Sequence, residues 1–566
     1  MRLAGGIEMG QAFVGGRAWV VIFLCRHGGG RASAAGGSGT IAMSRYHSIV
    51  KLKSILPAVI SRPRFSLRSV ALATLLAACA LPPVIAPSSA LAQSLPSLGD
   101  TEREELSPLM ERKLGEQIMR DIRRNRDYLD DAPLQEYLNG LGTSLLAVRP
   151  EARGETQYDF FFFAVRDPML NAFALPGGFI GVHSALVLAA QNESELASVM
   201  AHEIGHVAQR HIARMLGKQK QDALIPLAAM VLGALTATAS PDAGIAMMMG
   251  GQGLALQRQL NFSRVAEREA DRVGLDIMRE AGFETSGMVN FFGRLQQASR
   301  NYSDNTPPYL RSHPMTTERI ADIQARIRDQ RYRQHADSLD FPLIQARVKI
   351  LQDPSQQGML DAAAGFERQL QLKTRTAIIA GKYGLAFIAL KQGDTKKAQG
   401  MLNDARAALK NGAPAAKNVV LSSLAIDIKL AAHQFREAVE EADVARNQFP
   451  LSRGIAHQYA DALFAAGRYA DAVTFLRDQA QLYRTEPQLY DRLAKTYAAL
   501  NQQAQQHLAL AESYALNGSL PAALDQLAIA RRAPDASFYD QSIIDARERE
   551  MKAQRLEEIR QEKEGY

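Results

Sequence analysis

The chain has 566 residues, 47% hydrophobic and 22% charged, which reads as globular and is long enough for two or more domains with substantial cores. Its net charge of +7 belongs to one end: ten of the 66 Lys/Arg and one of the 59 Asp/Glu fall in residues 1–92, leaving 56 bases against 58 acids. No basic surface remains to indicate a nucleic-acid partner, and the two cysteines, Cys25 and Cys79, both lie in that first segment, so a metal bound further along must be held by nitrogen and oxygen.

Residues 1–92 read as an export leader. A basic stretch ends at Arg68, an apolar run follows from Val70 to Ala80, and small residues at Ala90-Leu91-Ala92 precede Gln93. Met43 is a sensible start, since the Gly-rich stretch before it resembles neither a leader nor a domain. Cleavage after Ala92 is favoured. The rival exit is Leu76-Ala77-Ala78-Cys79, a lipoprotein-like box that leaves Cys79 lipidated and the protein tethered to a membrane.

From Leu106 to Leu146 the pattern is charged and helical, with Leu114, Ile118 and Ile122, then Leu134, Leu138, Leu141 and Leu145, at helical spacing. Residues 158–165, rich in Phe, then Asn171–Leu175, an exposed-looking turn at Pro176-Gly177-Gly178, and Phe179–Val182 predict a small sheet. That sheet either offers an edge to an extended peptide, with Asn171 and Gly178 near the substrate backbone, or is simply core. A helix follows, capped by Asn192 with Glu195 three residues on, and its buried stripe runs through Leu196, Val199, Met200, Val207 and Ile212.

Leu224–Ala239 is uncharged and mostly apolar, and Gly244–Leu256 is rich in Met and Gly. The first stretch is too short for a comfortable membrane span; the pair reads as a hairpin that packs over a site or touches a membrane surface, or as core. Ser263–Ala281 is another amphipathic helix. Past Pro342 the composition turns to Ala, Leu and Gln, and a paired-helix pattern recurs: Gly393-Asp394 with Ala398, Gln434-Phe435 with Ala438, Gly467-Arg468-Tyr469 with Ala472, Asn517-Gly518 with Ala523. Ala438 and Ala472 give a period of 34, which resembles tetratricopeptide repeats stacked into a protein-binding array; generic helical hairpins are the alternative.

The chemistry centres on His202-Glu203-Ile204-Gly205-His206. Residues four apart on a helix share a face, so His202 and His206 can reach one metal while Glu203 points at its open position. A catalytic zinc takes three protein ligands, and without cysteine the third must be His, Glu or Asp. Glu267 lies on a separate helix with Asp271 one turn further along the same face. Glu267 can ligate while Asp271 bonds the far nitrogen of a ligand histidine, and Ala270 and Gly274 keep that helix thin enough for two helices to meet. His183 and His211 read as packing or hydrogen-bonding residues, and His433 and His507 as surface positions.

Together with Asp167-Pro-Met-Leu-Asn171-Ala-Phe-Ala-Leu-Pro-Gly-Gly-Phe-Ile180, these motifs resemble the HtpX-like and CAAX-prenyl-protease-like zinc metallopeptidases. With the leader and the repeats, the chain most resembles the BepA-like periplasmic proteases of outer-membrane β-barrel assembly. The resemblance implies a mainly α architecture: an α+β zincin-like metallopeptidase domain with a small sheet (93–340), followed by an all-α tetratricopeptide-repeat solenoid (341–566). It implies one Zn2+ per chain held by His202, His206 and Glu267, with Glu203 as general base. His313, in Ser312-His313-Pro314, would either stabilise the oxyanion or occupy the fourth zinc position as a gate. Polypeptide substrates, docking of the repeats on the outer-membrane assembly machinery, peripheral membrane contact and a periplasmic location follow as expectations. The alternatives are a chaperone or scaffold with a low-activity metal site, and a general secreted metalloprotease.

Overall fold

A computed structural model describes residues 107–153, 159–217, 264–300, 317–328, 330–331, 333–410 and 417–564, all within one compact unit. The leader, the apolar stretch 224–256 and His313 lie outside the described residues. Among the described residues the architecture is mainly helical, with one small sheet in the N-terminal part and helices alone after it.

Helix α1 (Pro108–Arg124) is started by Ser107, whose hydroxyl accepts from Met110 N, and by Pro108 in the first turn. Its buried stripe is Gly115, Ile118, Met119 and Ile122. Helix α2 (Ala132–Ala147) is capped by Asp131 and buries Leu134, Leu138, Leu141 and Leu145, the spacing read from the sequence. Strands β1 (Phe161–Val165), β2 (Ala172–Leu175) and β3 (Phe179–His183) form a sheet of order β1-β3-β2. β1 pairs in parallel with β3 (Phe161 opposite Phe179), and β2 pairs antiparallel with it (Ala172 opposite Val182). The strands are buried on both faces, which explains their continuous apolar runs.

The Pro176–Gly178 turn, expected to be exposed, is buried. Gly177 and Gly178 adopt φ of 77° and 90°, and α1 lies over them: a Cβ on Gly177 would meet Arg112 Cα at 2.7 Å, and Arg112 Nη1 donates to Gly177 O at 2.8 Å. The outer edge of β1 is closed as well. Asn139 of α2 pairs with both Phe162 N and Phe162 O, Gln135 donates to the same carbonyl, and Leu129 N reaches Ala164 O.

Next come α3 (Ser184–Ala189), α4 (Glu193–Ala208), α5 (His211–Gly217), α6 (Arg264–Ala281), α7 (Ser286–Arg300) and α8 (Thr317–Arg328). α4 packs against β2 on one side and against α6 on the other. Asn192 caps α4 by accepting from Glu195 N at 2.9 Å, while the Glu195 carboxylate reaches back to Gln191 N at 2.7 Å, one residue before the cap. α4 ends at Ala208, and Arg210 takes a left-handed φ of 49°, so Ile212 belongs to α5 rather than to the stripe of α4.

From Asp340 the chain is a run of antiparallel helices: α9 (Asp340–Gln352), α10 (Gln356–Leu370), α11 (Arg375–Lys391), α12 (Thr395–Lys410), α13 (Val419–Ala431), α14 (Phe435–Gln448), α15 (Arg453–Ala465), α16 (Tyr469–Leu482), α17 (Pro487–Ala499), α18 (Gln503–Leu516), α19 (Leu520–Arg532) and α20 (Phe538–Glu564). Tight left-handed turns at Gly393, His433, Gly467 and Asn501 join the two helices within a pair, the last three at intervals of 34 residues. The same interval separates two cross-pair contacts, Gln458 with Asp427 and Arg492 with Asp461. Ala398, Ala438, Ala472 and Ala523 are fully buried where neighbouring helices touch.

One continuous apolar core runs from α1 through the sheet and α4 to α13. α9 packs against α2 and α3 on one side and against α11 on the other. A buried charge sits at this junction: Arg347 of α9 lies 2.7 Å from Asp131, donates to Tyr383 OH at 3.0 Å and stacks 4.3 Å over Phe387. Burial pushes the Tyr383 phenol up to about 12, so it stays neutral beside the guanidinium. Further along α2, Glu136 accepts from Ser452 Oγ and Gly454 N at the start of α15.

Arg347→Met strands Asp131 without its counter-charge and should lower stability by about 3–5 kcal/mol, read as a shift in thermal or urea unfolding. The double variant Arg347→Met/Asp131→Ser should recover part of the loss, because serine keeps the helix cap while removing the stranded charge. Equal losses in the single and double variants would show that the charge pair is not what the junction depends on.

Candidate metal centre

His202 and His206 stand one turn apart on α4, both fully buried, with ring centroids 4.7 Å apart and Nε2 atoms 3.0 Å apart. Glu267, near the start of α6, brings its Oε2 to 3.9 Å from His202 Nε2. One ligand atom from each of the three residues falls within a 4.8 Å cluster. The two helices come this close because their backbones touch: a Cβ on Gly205 would lie 3.0 Å from Ala270 O, and one on Gly274 would lie 3.0 Å from His202 N and Cα.

Asp271 lies one turn beyond Glu267, with Oδ1 3.0 Å from His202 Nδ1. Both carboxylates share a cation that the sequence reading did not identify. Arg319 of α8, itself buried, donates to Asp271 through Nε (2.8 Å) and Nη2 (2.9 Å), and its Nη1 lies 2.7 Å from Glu267 Oε2. Three acids read near one metal already signalled a need for a buried base, but nothing in the periodicity of α8 separates Arg319 from Arg326 or Arg328. Glu203 is buried on α4, next to His202 in the chain.

The electrostatics follow from burial and from this arginine. Burial pushes His202 down, outweighing Asp271 beside it, so the imidazole is neutral and offers a lone pair. Burial pushes Glu267 up to about 8, against the pull of Arg319. Burial would raise Asp271 too, but Arg319 and His202 prevail and hold it well below the usual carboxylate range.

The other histidines have structural partners. His183 Nδ1 lies 3.2 Å from Met169 O. His211 Nδ1 lies 2.8 Å from His206 Nδ1, and its Nε2 lies 3.2 Å from Glu269 Oε2; burial pushes it down to about 4. His507 pairs with Gln526, and His433 is a turn residue at φ 57°. Asn171 is buried at the head of β2, its carbonyl accepting from His183 N.

Neutral nitrogens and a carboxylate suit a dication, and nitrogens on one tetrahedral zinc sit roughly 3.3 Å apart, close to the spacing of these two. Such a helix pair, with Glu203 beside it, offers a donor set that a metallopeptidase could use. Residues 136–327 match the model of Peptidase family M48. The chain is 31% identical to the beta-barrel assembly-enhancing protease of Escherichia coli (strain K12), over 84% of this chain and 94% of that protein. It is 37% identical to a putative beta-barrel assembly-enhancing protease of Vibrio cholerae, over 57% of this chain and 66% of that protein. It is 32% identical to the mitochondrial metalloendopeptidase OMA1 of Arabidopsis thaliana, over 27% of this chain and 29% of that protein. The chain belongs to peptidase family M48, as a metallopeptidase similar to the beta-barrel assembly-enhancing proteases.

Arg319→Met leaves two buried carboxylates facing one another and should cost about 3–5 kcal/mol of stability in the metal-free protein. The loss should shrink when zinc is added, because a dication then stands opposite Glu267. Thermal unfolding with and without zinc reads both quantities, and an equal loss in the two conditions would contradict the shared-cation account.

Proposed function

We propose that the chain is an exported zinc endopeptidase that cleaves misfolded or stalled envelope proteins in the periplasm, and that its C-terminal helices dock it on the machinery that assembles outer-membrane β-barrels. The observation that carries the enzymatic reading is the convergence of His202, His206 and Glu267 beside the buried Glu203. The cellular reading draws support from the names of the similar proteases and from the leader-like composition of residues 1–92.

His202, His206 and Glu267 would hold the zinc, and Asp271 would keep His202 in the tautomer that presents Nε2. Bound there, zinc polarises the scissile carbonyl and acidifies water. Glu203 takes the proton from the attacking water and passes it to the departing amine. An extended substrate can add along β2, since β1 is closed by Asn139 and Gln135 and no strand pairs with the far side of β2 among the described residues. His313 retains its two proposed roles, gate or oxyanion support.

For the rest of the chain we propose a peptidase domain over 93–340 and tetratricopeptide repeats over 341–566, on the strength of the paired helices and the interval of 34 residues. Residues 224–256 are proposed as a peripheral membrane contact on composition alone. No described helix is long and apolar enough to cross a membrane.

Glu203→Gln should retain zinc and lose peptide hydrolysis by at least about 100-fold, the lower end of what a general base contributes. Hydrolysis at the wild-type rate would remove Glu203 from the mechanism, and envelope function intact in that variant would favour the scaffold reading. His313→Ala should raise peptidase activity if the residue gates the metal and lower it if it supports the oxyanion. Truncation before Gln503 removes α18–α20 and spares the apolar core shared with the peptidase part. It should cut co-purification with the assembly machinery while cleavage of a short peptide persists; unchanged complex formation would end the docking role for that end of the array.

A further inference from the structure

The outer nitrogens of the two ligand histidines are held in different ways. Nδ1 of His202 meets a carboxylate directly, Asp271 at 3.0 Å. Nδ1 of His206 meets another imidazole, Nδ1 of His211 at 2.8 Å, and only the far side of that ring reaches a carboxylate, Glu269 Oε2 at 3.2 Å. The three rings form a ladder with centroids 4.7 Å apart at each step. Glu269 is partly exposed and is also paired with Arg214 at 3.3 Å.

Donor and acceptor accounting gives this chain of contacts a direction. A neutral imidazole has one N–H and one lone pair. If His206 gives its Nε2 lone pair to a metal, its proton sits on Nδ1 and must be donated to His211. Nδ1 of His211 then accepts, its own proton sits on Nε2, and that proton points at Glu269, which only accepts. In the opposite direction His206 would carry its proton on Nε2 and have no lone pair to offer the metal.

The fold takes trouble to make this contact. On an uninterrupted helix, a residue five positions on lies about 140° around the axis, so His211 would face away from His206. The left-handed Arg210 (φ 49°) breaks α4 and brings His211 back beside it. Arg210 is itself held by the buried Glu111 of α1, whose Oε1 accepts from Arg210 Nε at 2.8 Å.

We propose that His211 and Glu269 are positioning residues for metal binding: the relay Glu269–His211–His206 fixes the tautomer and ring orientation of the second histidine ligand, as Asp271 does for the first. Residues 267–271 then supply three carboxylates with three tasks, Glu267 as ligand, Asp271 as direct support of His202, and Glu269 as the end of the relay. The inference rests on the reading that His206 ligates through Nε2.

The test measures zinc affinity of the full chain at pH 7.5 by competition with a chromophoric chelator, alongside the melting temperature of the metal-free protein. His211→Leu should weaken zinc binding about 10- to 100-fold, the usual effect of removing a partner behind a ligand. His211→Gln should recover most of it, because its amide accepts from His206 and donates to Glu269 in the same direction. Glu269→Ala should fall between the two. Wild-type affinity in His211→Leu overturns the relay, as does a glutamine variant no better than leucine when the metal-free melting temperatures match. Failure of the wild-type chain itself to bind zinc would overturn the ligand assignment and the relay together, so the two failures are distinguishable.

Discussion

The metal centre depends on a contact between backbones. Helices ordinarily pack with their axes 8–10 Å apart, a spacing set by the side chains between them. Where α4 meets α6, Gly205 lies against Ala270 and Gly274 against His202, and the space a Cβ would need is already filled by main-chain atoms. At that separation the short side chains of Asp271 and Glu267 reach His202 without a bridging residue. The sheet supports α4 as well, since β2 packs against it and pairs with β3.

Bringing two carboxylates, a third acid and a group of imidazoles into one dry volume creates an electrostatic problem that the helix pair cannot solve alone. Arg319 answers it from α8, donating two bonds to Asp271 and bringing the charge of its remaining arm to 2.7 Å from Glu267. Asp271 is therefore ionised behind His202, whereas Glu267 sits in an environment where burial opposes its charge. The pair divides into a carboxylate held by Arg319 and one that would gain from a nearby cation.

Helix α2 ties this centre to the C-terminal helices. Asp131 and Glu136 turn toward Arg347 and toward the start of α15, Gln135 and Asn139 close the edge of β1, and Tyr137 donates to Glu193 at the first turn of α4. Glu193 in turn accepts from Ser338 N and Oγ in the segment that leads into α9. The composition shifts past Pro342, yet the apolar core runs across that point, so the helices on either side are folded against each other rather than strung on a linker.

Most of what is repeated locally was legible in the chain. Leu134, Leu138, Leu141 and Leu145 announce the buried side of α2, Asn192 and Glu195 announce the start of α4, and the interval of 34 residues between turns is visible from Ala438 and Ala472. His202 and His206 share a face because four residues make roughly one helical turn. Each of these follows from bonding between near neighbours in sequence. The turn at Asn501 is not marked in the chain, because asparagine there takes the left-handed conformation that glycine marks at Gly393 and Gly467. The Pro176–Gly178 turn is buried rather than exposed because α1 covers it, Arg112 reaching Gly177 across 65 residues of sequence. Arg319 and the His211–Glu269 pair could not be chosen from among their neighbours by pattern, since their partners lie 48 to 58 residues away. The sequence by itself determined the helices, the repeat and the donor types, because those depend on short-range periodicity and chemistry. Only the tertiary structure decided which arginine, which glutamate and which extra histidine stand beside His202, His206 and Glu267, because buried charges take whatever partner the packing of α4, α5, α6 and α8 brings within reach.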